Sequence, residues 1–227
     1  MNPGKRLTAA ASFVRENKKV VDVGTDHAFL PAYLVLTGKT KQCLAVDIGR
    51  GPLDNAQKTV EKFALSDRIE LCISDGLQSV HPDEAQDITI CGMGGTLMTR
   101  ILSSCEWIQK EDLHLVLQPQ SHVWEVRSFL FRNGFYIDRE DILEDAGKLY
   151  ITISAYYTGE QADCGCGICY FGNLLLKDDA LTKKYVQNLY QHLKVRYDAL
   201  TKCGIRNEET EFLYACLSCY DLHANSV

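Results

Sequence analysis

Residues 20–31 read Val20-Val21-Asp22-Val23-Gly24-Thr25-Asp26-His27-Ala28-Phe29-Leu30-Pro31, an apolar strand followed by a glycine turn and the start of an apolar helix. About 21 residues after Gly24, the segment Ala45-Val46-Asp47-Ile48 predicts a second buried strand that ends in a carboxylate. This order and spacing are typical of a nucleotide-type ligand site on a doubly wound parallel sheet. The turn lets backbone approach the ligand, and Asp47 is placed to accept both ribose hydroxyls.

The full Gly-x-Gly-x-x-Gly fingerprint of dinucleotide sites is missing from this turn. His27 and Phe29 stand where the pyrophosphate of a dinucleotide would need bare backbone. A nucleoside without phosphates fits better, and S-adenosylmethionine is the leading candidate. A nicotinamide or other nucleotide cofactor is the alternative.

The composition is that of a globular α/β protein. The 227 residues, 46% hydrophobic and 24% charged, suit one full domain with a small appendage. No apolar run approaches the roughly 18 residues of a membrane span and no signal-peptide pattern is seen, so cytoplasmic residence is expected. Six of the ten cysteines lie in apolar strand or helix patterns and are expected to be buried free thiols: Cys43, Cys72, Cys91, Cys105, Cys216 and Cys219.

Charge is distributed unevenly along the chain. The net charge of −6 argues against a protein coated in basic surface, yet residues 1–20 carry five Lys and Arg side chains against one Glu. This basic N-terminal patch is interpreted either as a phosphate-binding surface or as a solvated helix face. Composition alone does not decide whether a nucleic acid is the substrate.

Strand and helix patterns alternate over the first two thirds of the chain. An amphipathic helix is predicted over 5–17, and five strands over 19–24, 42–48, 68–73, 86–91 and 113–117. Helices are predicted at 30–37, 52–64, up to Leu102 and 122–132, and an antiparallel pair at 135–143 and 148–157. The alternation predicts a doubly wound, Rossmann-like parallel sheet with helices on both faces.

The pattern changes at about residue 158. The glycine- and cysteine-rich stretch 159–172 is interpreted as a linker. Leucines and tyrosines at helical spacing over 181–200, a C-cap candidate at Gly204 and a second helical face around Phe212 predict a coiled-coil-like helical hairpin. The predicted division is therefore a ligand-binding domain over 1–158 and a linker with a C-terminal hairpin over 159–227.

Polar or glycine residues stand at the carboxyl ends of the predicted parallel strands, where open α/β sheets bind ligands. Asp47 is assigned to the ribose hydroxyls and Asp75 to the adenine amine, with Gly76 giving clearance. Gly24 lets backbone approach the methionine part, and Asp22 or Asp26 is placed to hold its ammonium group. The glycine turn 92–95 completes this rim, although a tight turn alone is an alternative explanation for it.

Six motifs stand out along the chain: Asp22–Pro31, Asp47–Leu53, Asp75–Leu77, Ile90-Cys91-Gly92-Met93-Gly94-Gly95, Leu117-Gln118-Pro119 and Phe171–Leu176. Together they resemble the bacterial tRNA (adenine-22-N1)-methyltransferases, and the resemblance covers essentially the whole chain. The resemblance implies a class I methyltransferase fold, S-adenosylmethionine as donor and N1 of adenine 22 in tRNA as acceptor. Asp47 stands where the family often has Glu, and Cys164-Gly165-Cys166-Gly167-Ile168-Cys169 falls outside the family pattern.

With this resemblance, site roles can be assigned. The predicted cofactor residues are Asp22, Gly24, Asp47, Ile48, Asp75, Gly76, Gly92, Met93 and Gly94. Asp26 and His27 are the predicted catalytic residues: Asp26 accepts from adenine N6 and stabilises the cationic product, and His27 orients Asp26 or contacts the base. The predicted substrate residues are Arg6, Phe29, Gly95, Gln118 and Pro119.

Adenine N1 carries a free lone pair, so positioning and electrostatics supply most of the rate and no strong base is needed. The turn 92–95 replaces the Asn/Asp-Pro-Pro-aromatic motif of amino-group methyltransferases, which favours a ring-nitrogen target. Phe29 and Tyr33 are either base-stacking residues or ordinary core aromatics.

Two other functions stay open at this point: methylation of a small molecule or protein, and a non-catalytic tRNA-binding module on the same fold. Lys183, Lys184, Lys194 and Arg196 are candidates to guide tRNA. Cys164, Cys166 and Cys169 have a spacing that suggests metal but lack an obvious fourth ligand nearby, so no metal site is predicted. We expect a tRNA partner, no membrane contact, and a monomer or weak homodimer.

Overall fold

A seven-stranded mixed sheet forms the centre of the computed structural model, which describes residues 1–224. The strands are β1 (Val20–Val23), β2 (Cys43–Asp47), β3 (Ile69–Ile73), β4 (Asp87–Cys91), β5 (His114–Gln118), β6 (Phe135–Asp145) and β7 (Lys148–Tyr157). Their order is β3-β2-β1-β4-β5-β7-β6, and β1 to β5 are parallel. Strand β7 pairs antiparallel with both β5 and β6. The predicted doubly wound sheet is confirmed.

Five helices cover the two faces of the sheet: α1 (Lys5–Phe13), α2 (Phe29–Leu36), α3 (Arg50–Lys62), α4 (Gly95–Ser103) and α5 (Val123–Arg132). Val20 contributes to the core under α1, α2 and α3, whereas Val21 and Val23 contribute to the core under α4 and α5. Burial on both faces explains why the strands read as continuous apolar runs. No helix within residues 1–224 is long and apolar enough to span a bilayer.

Helix α1 ends four residues before the predicted boundary at residue 17, because the chain turns to reach Asp87. The backbone N–H of Arg15 donates to Asp87 Oδ2 at 2.8 Å, and its guanidinium contacts both Asp87 (2.8 Å) and Asp112 (2.6 Å). Lys18 pairs with Asp112 at 2.9 Å. Much of the basic N-terminal patch therefore fastens α1 to the sheet, and Arg15 and Lys18 are engaged by carboxylates.

The C-terminal hairpin is confirmed. Helices α7 (Ala180–Lys202) and α8 (Glu208–Ala224) are joined by residues 203–207. They run antiparallel, since Tyr197 contacts Tyr214 and Tyr190 contacts Tyr220, with ring centroids 6.1 and 4.3 Å apart.

The interpretation of 159–172 as a linker is wrong for its second half, which forms a packed helix, α6 (Cys166–Phe171). Phe171 is fully buried, and a side chain at Gly167 would overlap Cys219 Sγ on α8. Small residues, which suggested a loop, instead allow close helix contact. Cys164 and Cys169 form a disulfide next to this contact. The six cysteines expected as buried thiols are free, but Cys72, Cys91 and Cys219 are only half-buried.

A buried ion pair ties α6 to the sheet domain, and sequence patterns did not reveal it. Arg127 on α5 donates from Nε to Glu140 Oε1 on β6 at 2.7 Å, and both side chains are almost completely buried. Arg127 Nη1 also donates to the backbone oxygen of Tyr170 at 2.6 Å. The backbone N–H of Asn173 donates to Glu140 Oε2 at 3.1 Å. This network fixes the end of α6 against β6.

Candidate functional site

The carboxyl ends of the parallel strands meet at one rim, as predicted. The backbone N–H groups of Gly24 and Thr25 both donate to Val46 O, at 2.8 and 3.0 Å, so the turn after β1 rests on the end of β2. Ser74 N donates to Asp47 O at 3.0 Å, and Gly92 N donates to Gln118 O at 3.2 Å. These bonds bring the polar strand ends into one continuous surface.

The turn after β1 is covered by the turn after β4. Gly24 has φ of +73°, which favours glycine, and any Cβ placed on it would overlap Cε of Met93. Gly24 and Met93 are thus in direct contact, although 69 residues separate them in the sequence. The structure brings together these two predicted cofactor residues.

Asp47 lies half-buried at the end of β2 with both carboxylate oxygens held by backbone. Oδ1 accepts from Gly49 N at 2.9 Å, and Oδ2 accepts from Asp26 N at 3.3 Å. A carboxylate has about four acceptor positions, so two stay available for a ligand. The side chain is oriented before any ligand arrives, which fits a residue that receives the two hydroxyls of a ribose.

Asp22 is buried beneath the rim between β1 and β4. Thr89 Oγ1 donates to its Oδ1 at 2.6 Å. Burial raises the pKa of the Asp22 carboxyl, while the hydrogen bond from Thr89 opposes the rise. The neighbouring Thr25 hydroxyl is buried without a hydrogen bond of standard geometry. The Asp22 carboxyl and the Thr25 hydroxyl thus lie under the Gly24 turn and can each form a further hydrogen bond.

The adenine side of the predicted pocket is formed after β2 and β3. Asp75 is exposed, and Ile48 is 67% exposed beside Asp47, a large apolar side chain without cover at the rim. Gly76 is buried at φ of +61°, and a Cβ there would come within 2.8 Å of Ile101 on α4. The clearance that Gly76 provides is therefore toward α4. An exposed apolar face next to two carboxylates fits a flat, amine-bearing ring such as adenine.

Asp26 and His27 occupy a strained, exposed corner of the rim. Asp26 and Ala28 both have positive φ (+49° and +51°), an unusual conformation for residues other than glycine. His27 Nε2 lies 3.6 Å from Asp26 Oδ2, and its ring stacks on Phe29 at 5.1 Å with an interplanar angle of 10°. Tyr33 packs against the buried core, which fits a core aromatic and not a base-stacking residue. The corner presents a carboxylate, an imidazole and an exposed aromatic face together.

The turn 92–95 rests on the segment after β5. Gly95 N donates to Ser121 O at 2.8 Å, Gln120 N donates to Met93 O at 2.8 Å, and a Cβ on Gly95 would overlap the backbone oxygen of His122. A Cβ on Gly94 would lie 3.0 Å from Ser121 Oγ. This turn is therefore built by close backbone approach.

The predicted substrate residues divide into two groups. Gln118 is fully buried: it accepts from Arg6 Nη1 at 2.8 Å and donates to Thr152 Oγ1 at 3.0 Å. Gly95 and Pro119 are buried as well. These three support the rim from beneath, whereas Phe29 is 41% exposed at its surface. Arg6 is half-buried, and its guanidinium lies next to Gly92.

A cleft of about 1160 Å³ opens beside this rim, between the segment after β5, the start of β7 and the hairpin. Its walls carry aromatic, basic and acidic side chains; they include Trp124, Tyr150, Tyr170, Tyr185, Phe212, Lys148, His122, His192, Arg196, Glu125, Glu208 and Glu209. Sequence reasoning missed the cleft because its wall residues come from five separate segments.

The four basic residues expected to guide tRNA on the hairpin are engaged by carboxylates. Lys184 pairs with Glu144 and Lys194 with Asp198, at 3.2 and 3.6 Å. Lys183 contacts Asp178, and Arg196 contacts Glu209. A second cavity of about 450 Å³ adjoins the His27–Phe29 stack and is lined by Lys58 and Lys62. Basic charge next to the Asp26–His27 corner thus comes from α3, a source that the sequence did not single out.

Comparisons with known proteins identify the family to which the chain is similar. Residues 4–153 match the family described as "Methyltransferase domain". The tRNA (adenine(22)-N(1))-methyltransferase of Bacillus subtilis is 33% identical over 207 residues, which cover 88% of this chain and 86% of that protein. A putative tRNA methyltransferase of Mycoplasma genitalium is 32% identical over 64% of this chain and 66% of its own.

Solved structures give the same result. The structure of the Bacillus subtilis m1A22 tRNA methyltransferase superposes with a TM-score of 0.86 at 28% identity, covering 97% of both chains. A putative tRNA (m1A22) methyltransferase of Streptococcus pneumoniae in complex with S-adenosyl-L-methionine has a TM-score of 0.81 at 30% identity, covering 97% of this chain and 98% of that one. The resemblance seen in the sequence is confirmed: this chain belongs to the tRNA (adenine-22-N1)-methyltransferase family.

Proposed function

We propose that this enzyme transfers the methyl group of S-adenosylmethionine to N1 of adenine 22 in tRNA. The observation that carries the proposal is the rim at which Gly24, Asp47 and Met93 meet beside the exposed Asp26–His27 corner. The backbone bond from Asp26 N to Asp47 Oδ2 joins the cofactor residue to the proposed catalytic residue directly. Cofactor and acceptor base would therefore lie next to each other.

The donor set fits S-adenosylmethionine by charge as well as by shape. The cofactor carries a sulfonium and an ammonium group, and the rim offers the carboxyls of Asp22, Asp26, Asp47 and Asp75. In our assignment Asp47 holds the ribose, Asp75 the adenine amine and Asp22 the ammonium group. The bare backbone at Gly24 admits the methionine part once the Met93 side chain moves aside. S-adenosylmethionine supplies the electrophilic methyl group.

Methyl transfer to adenine N1 does not need a strong general base. Adenine N1 attacks the methyl carbon with its own lone pair as the carbon–sulfur bond breaks, so the adenine gains the positive charge that the sulfonium loses. Asp26 is 63% exposed and placed to accept from N6 and to stabilise that cation. His27, whose Nε2 lies 3.6 Å from Asp26 Oδ2, is placed to orient Asp26 or to contact the base, and Phe29 offers an aromatic face on which an extruded base can stack.

The tRNA would approach across the aromatic cleft on one side and the Lys58–Lys62 cavity on the other. Unstacked bases pack on aromatic side chains, and lysines meet phosphates. We further propose that the protein is cytoplasmic, like its tRNA substrate, and that it is a monomer or a weak homodimer. The proposed domains are the methyltransferase domain over 1–158 and the linker with the helical hairpin over 159–227.

Methyl transfer to transcripts tests the function. The purified protein is incubated with S-adenosylmethionine labelled in its methyl group and with two tRNA transcripts that differ only by A or G at position 22. We expect label in the A22 transcript and none in the G22 transcript, and N1-methyladenosine in its nuclease digest. Equal labelling of both transcripts, or no labelling although the cofactor binds, would overturn the proposal.

A further inference from the structure

S-adenosylmethionine carries one charge that the four aspartates of the rim cannot attract, the carboxylate of its methionine part. The same part carries an ammonium group, and the sulfonium adds a second positive charge. Aspartate carboxylates attract the two cations and repel the anion. A positively charged side chain is therefore needed near the contact between Gly24 and Met93, the place that we assign to the methionine part.

Arg6, in the first turn of α1, brings a positive charge to the turn after β4. Gly92 in this turn has φ of +84°, and a Cβ placed on it would lie 3.2 Å from Arg6 Nη1 and 3.6 Å from Arg6 Nη2. Both terminal nitrogens of the guanidinium thus lie close to this turn. The next residue of the turn, Met93, contacts Gly24. The charge of Arg6 is therefore beside the place assigned to the methionine part.

A buried glutamine holds both the side chain and the backbone of Arg6. Gln118 Oε1 accepts from Arg6 Nη1 at 2.8 Å. Gln118 Nε2 donates to Arg6 O at 3.1 Å and to Thr152 Oγ1 at 3.0 Å. The guanidinium is thus oriented before any ligand arrives, and a bound anion would immobilise few additional torsions of the side chain.

The guanidinium of Arg6 keeps most of its hydrogen-bonding capacity. An arginine side chain has five N–H donors, and within residues 1–224 the side chain of Arg6 donates to Gln118 and forms no ion pair. Arg15 and Lys18, from the same basic N-terminal patch, both pair with carboxylates. Arg6 therefore has donors available for a ligand, and its planar fork matches the oxygens of a carboxylate or a phosphate.

The charge next to Arg6 favours a carboxylate that belongs to an amino acid. Burial raises the pKa of the Asp22 carboxyl, and the positive charge of Arg6 is among the weaker effects that oppose this rise. Each of the two groups is held by an uncharged partner, Thr89 for Asp22 and Gln118 for Arg6. Neighbouring groups of opposite charge complement an ammonium and a carboxylate on one carbon atom. A phosphodiester of tRNA has no cation to offer Asp22.

We infer that Arg6 binds the carboxylate of the methionine part of S-adenosylmethionine, beside the ammonium group held by Asp22. The inference rests on the assignment of Asp22 and Gly24 within the proposed function. It replaces the prediction that Arg6 is a substrate residue. Arg6 then determines cofactor specificity, since adenosine derivatives without this carboxylate lose the ion pair. A fixed methionine part also limits the positions that the sulfonium methyl group can take.

Calorimetric titration with two ligands tests this inference. S-adenosylmethionine is compared with decarboxylated S-adenosylmethionine, which keeps the adenosine, the sulfonium and the amine but lacks the carboxylate. The parent should bind S-adenosylmethionine about 30-fold more tightly than the decarboxylated ligand. The Arg6→Ala protein should bind S-adenosylmethionine about 30-fold more weakly than the parent does, and the decarboxylated ligand within about threefold of the parent.

Two further variants serve as controls. Lys5→Ala removes the same charge from the neighbouring exposed position of α1 and should bind both ligands like the parent. Arg6→Lys keeps the charge but not the planar fork. Its affinity for S-adenosylmethionine should fall between those of the parent and Arg6→Ala, with the affinity for the decarboxylated ligand unchanged.

A parent protein that binds the two ligands within about threefold of each other would overturn the inference, and this result does not depend on how any variant folds. Equal losses of affinity for both ligands in Arg6→Ala, the result expected if Arg6 only supports the turn, would overturn it as well. So would an unchanged affinity for S-adenosylmethionine in Arg6→Ala, the result expected of a tRNA contact. No tRNA is present in these titrations, so their outcome is independent of whether adenine 22 is the acceptor.

Discussion

Replacement of Asp47 by alanine is expected to weaken S-adenosylmethionine binding about 100-fold or more. Both carboxylate oxygens are already held by backbone N–H groups, at 2.9 Å from Gly49 and 3.3 Å from Asp26. The side chain therefore loses little additional freedom when it binds a ribose. Its contribution to affinity should approach the full value of its hydrogen bonds.

The magnitude follows from the two acceptor positions that the backbone leaves available. Hydrogen bonds to a charged group contribute about 1.5–3 kcal/mol each, so two ribose hydroxyls account for roughly 3–6 kcal/mol. The lower value corresponds to about 150-fold in the dissociation constant. Asp47→Asn keeps one oxygen acceptor without charge and should lose roughly half as much free energy.

Isothermal titration calorimetry of the parent, Asp47→Ala and Asp47→Asn proteins with S-adenosylmethionine measures the effect. The expected order of affinity is parent, then Asn, then Ala, and the melting temperature of each protein shows that it is folded before titration. Asp67→Ala, at an exposed position on the opposite edge of the sheet, is the matched control and should bind like the parent. An Asp47→Ala protein that is folded and binds within about threefold of the parent would refute the assignment of Asp47 to the ribose.

Three further outcomes are expected. Asp26→Ala should bind S-adenosylmethionine normally in calorimetry and lose most methyl transfer to tRNA, and near-normal turnover would remove Asp26 from the mechanism. Burial raises the pKa of the Asp22 carboxyl, and the ammonium group of the cofactor needs the ionised carboxylate. The affinity for S-adenosylmethionine should therefore increase as pH rises through that pKa. Asp22→Asn should flatten this dependence of affinity on pH, and an unchanged slope in that variant would contradict the pairing of Asp22 with the ammonium group. Glu140→Gln leaves the charge of Arg127 buried and should cost roughly 3–5 kcal/mol in urea unfolding, and a cost below about 1 kcal/mol would show that the network is dispensable.

Local patterns in the sequence were sufficient to predict the sheet and its rim. Short apolar runs predict the buried strands, and the residue that follows each run marks the end of the strand. The parallel order of the strands then places Gly24, Asp47 and Asp75 on one edge without any further information. The cofactor residues at this rim are therefore predictable from the sequence.

Contacts between distant segments were not predictable in the same way. The carboxylate of Asp87 forms an ion pair with Arg15, which lies 72 residues earlier in the sequence. Part of the basic N-terminal patch, predicted as a possible phosphate-binding surface, therefore stabilises the fold. The Arg127–Glu140 pair and the packing of Gly167 on Cys219 also depend on how helices meet. Periodicity and composition describe the local preference of one segment and not its contacts with others. The glycine-rich stretch 159–172 was therefore predicted as a linker, although its second half forms the packed helix α6.

Methyl transfer to the A22 and G22 transcripts, with the site of methylation read by mass spectrometry, tests the central claim most directly. The account predicts N1-methyladenosine at position 22 of the A22 transcript, none in the G22 transcript, and strongly reduced methylation of the A22 transcript with the Asp26→Ala protein. The Asp67→Ala protein should match the parent. Methylation at another base, or equal methylation of the G22 transcript, would contradict the account.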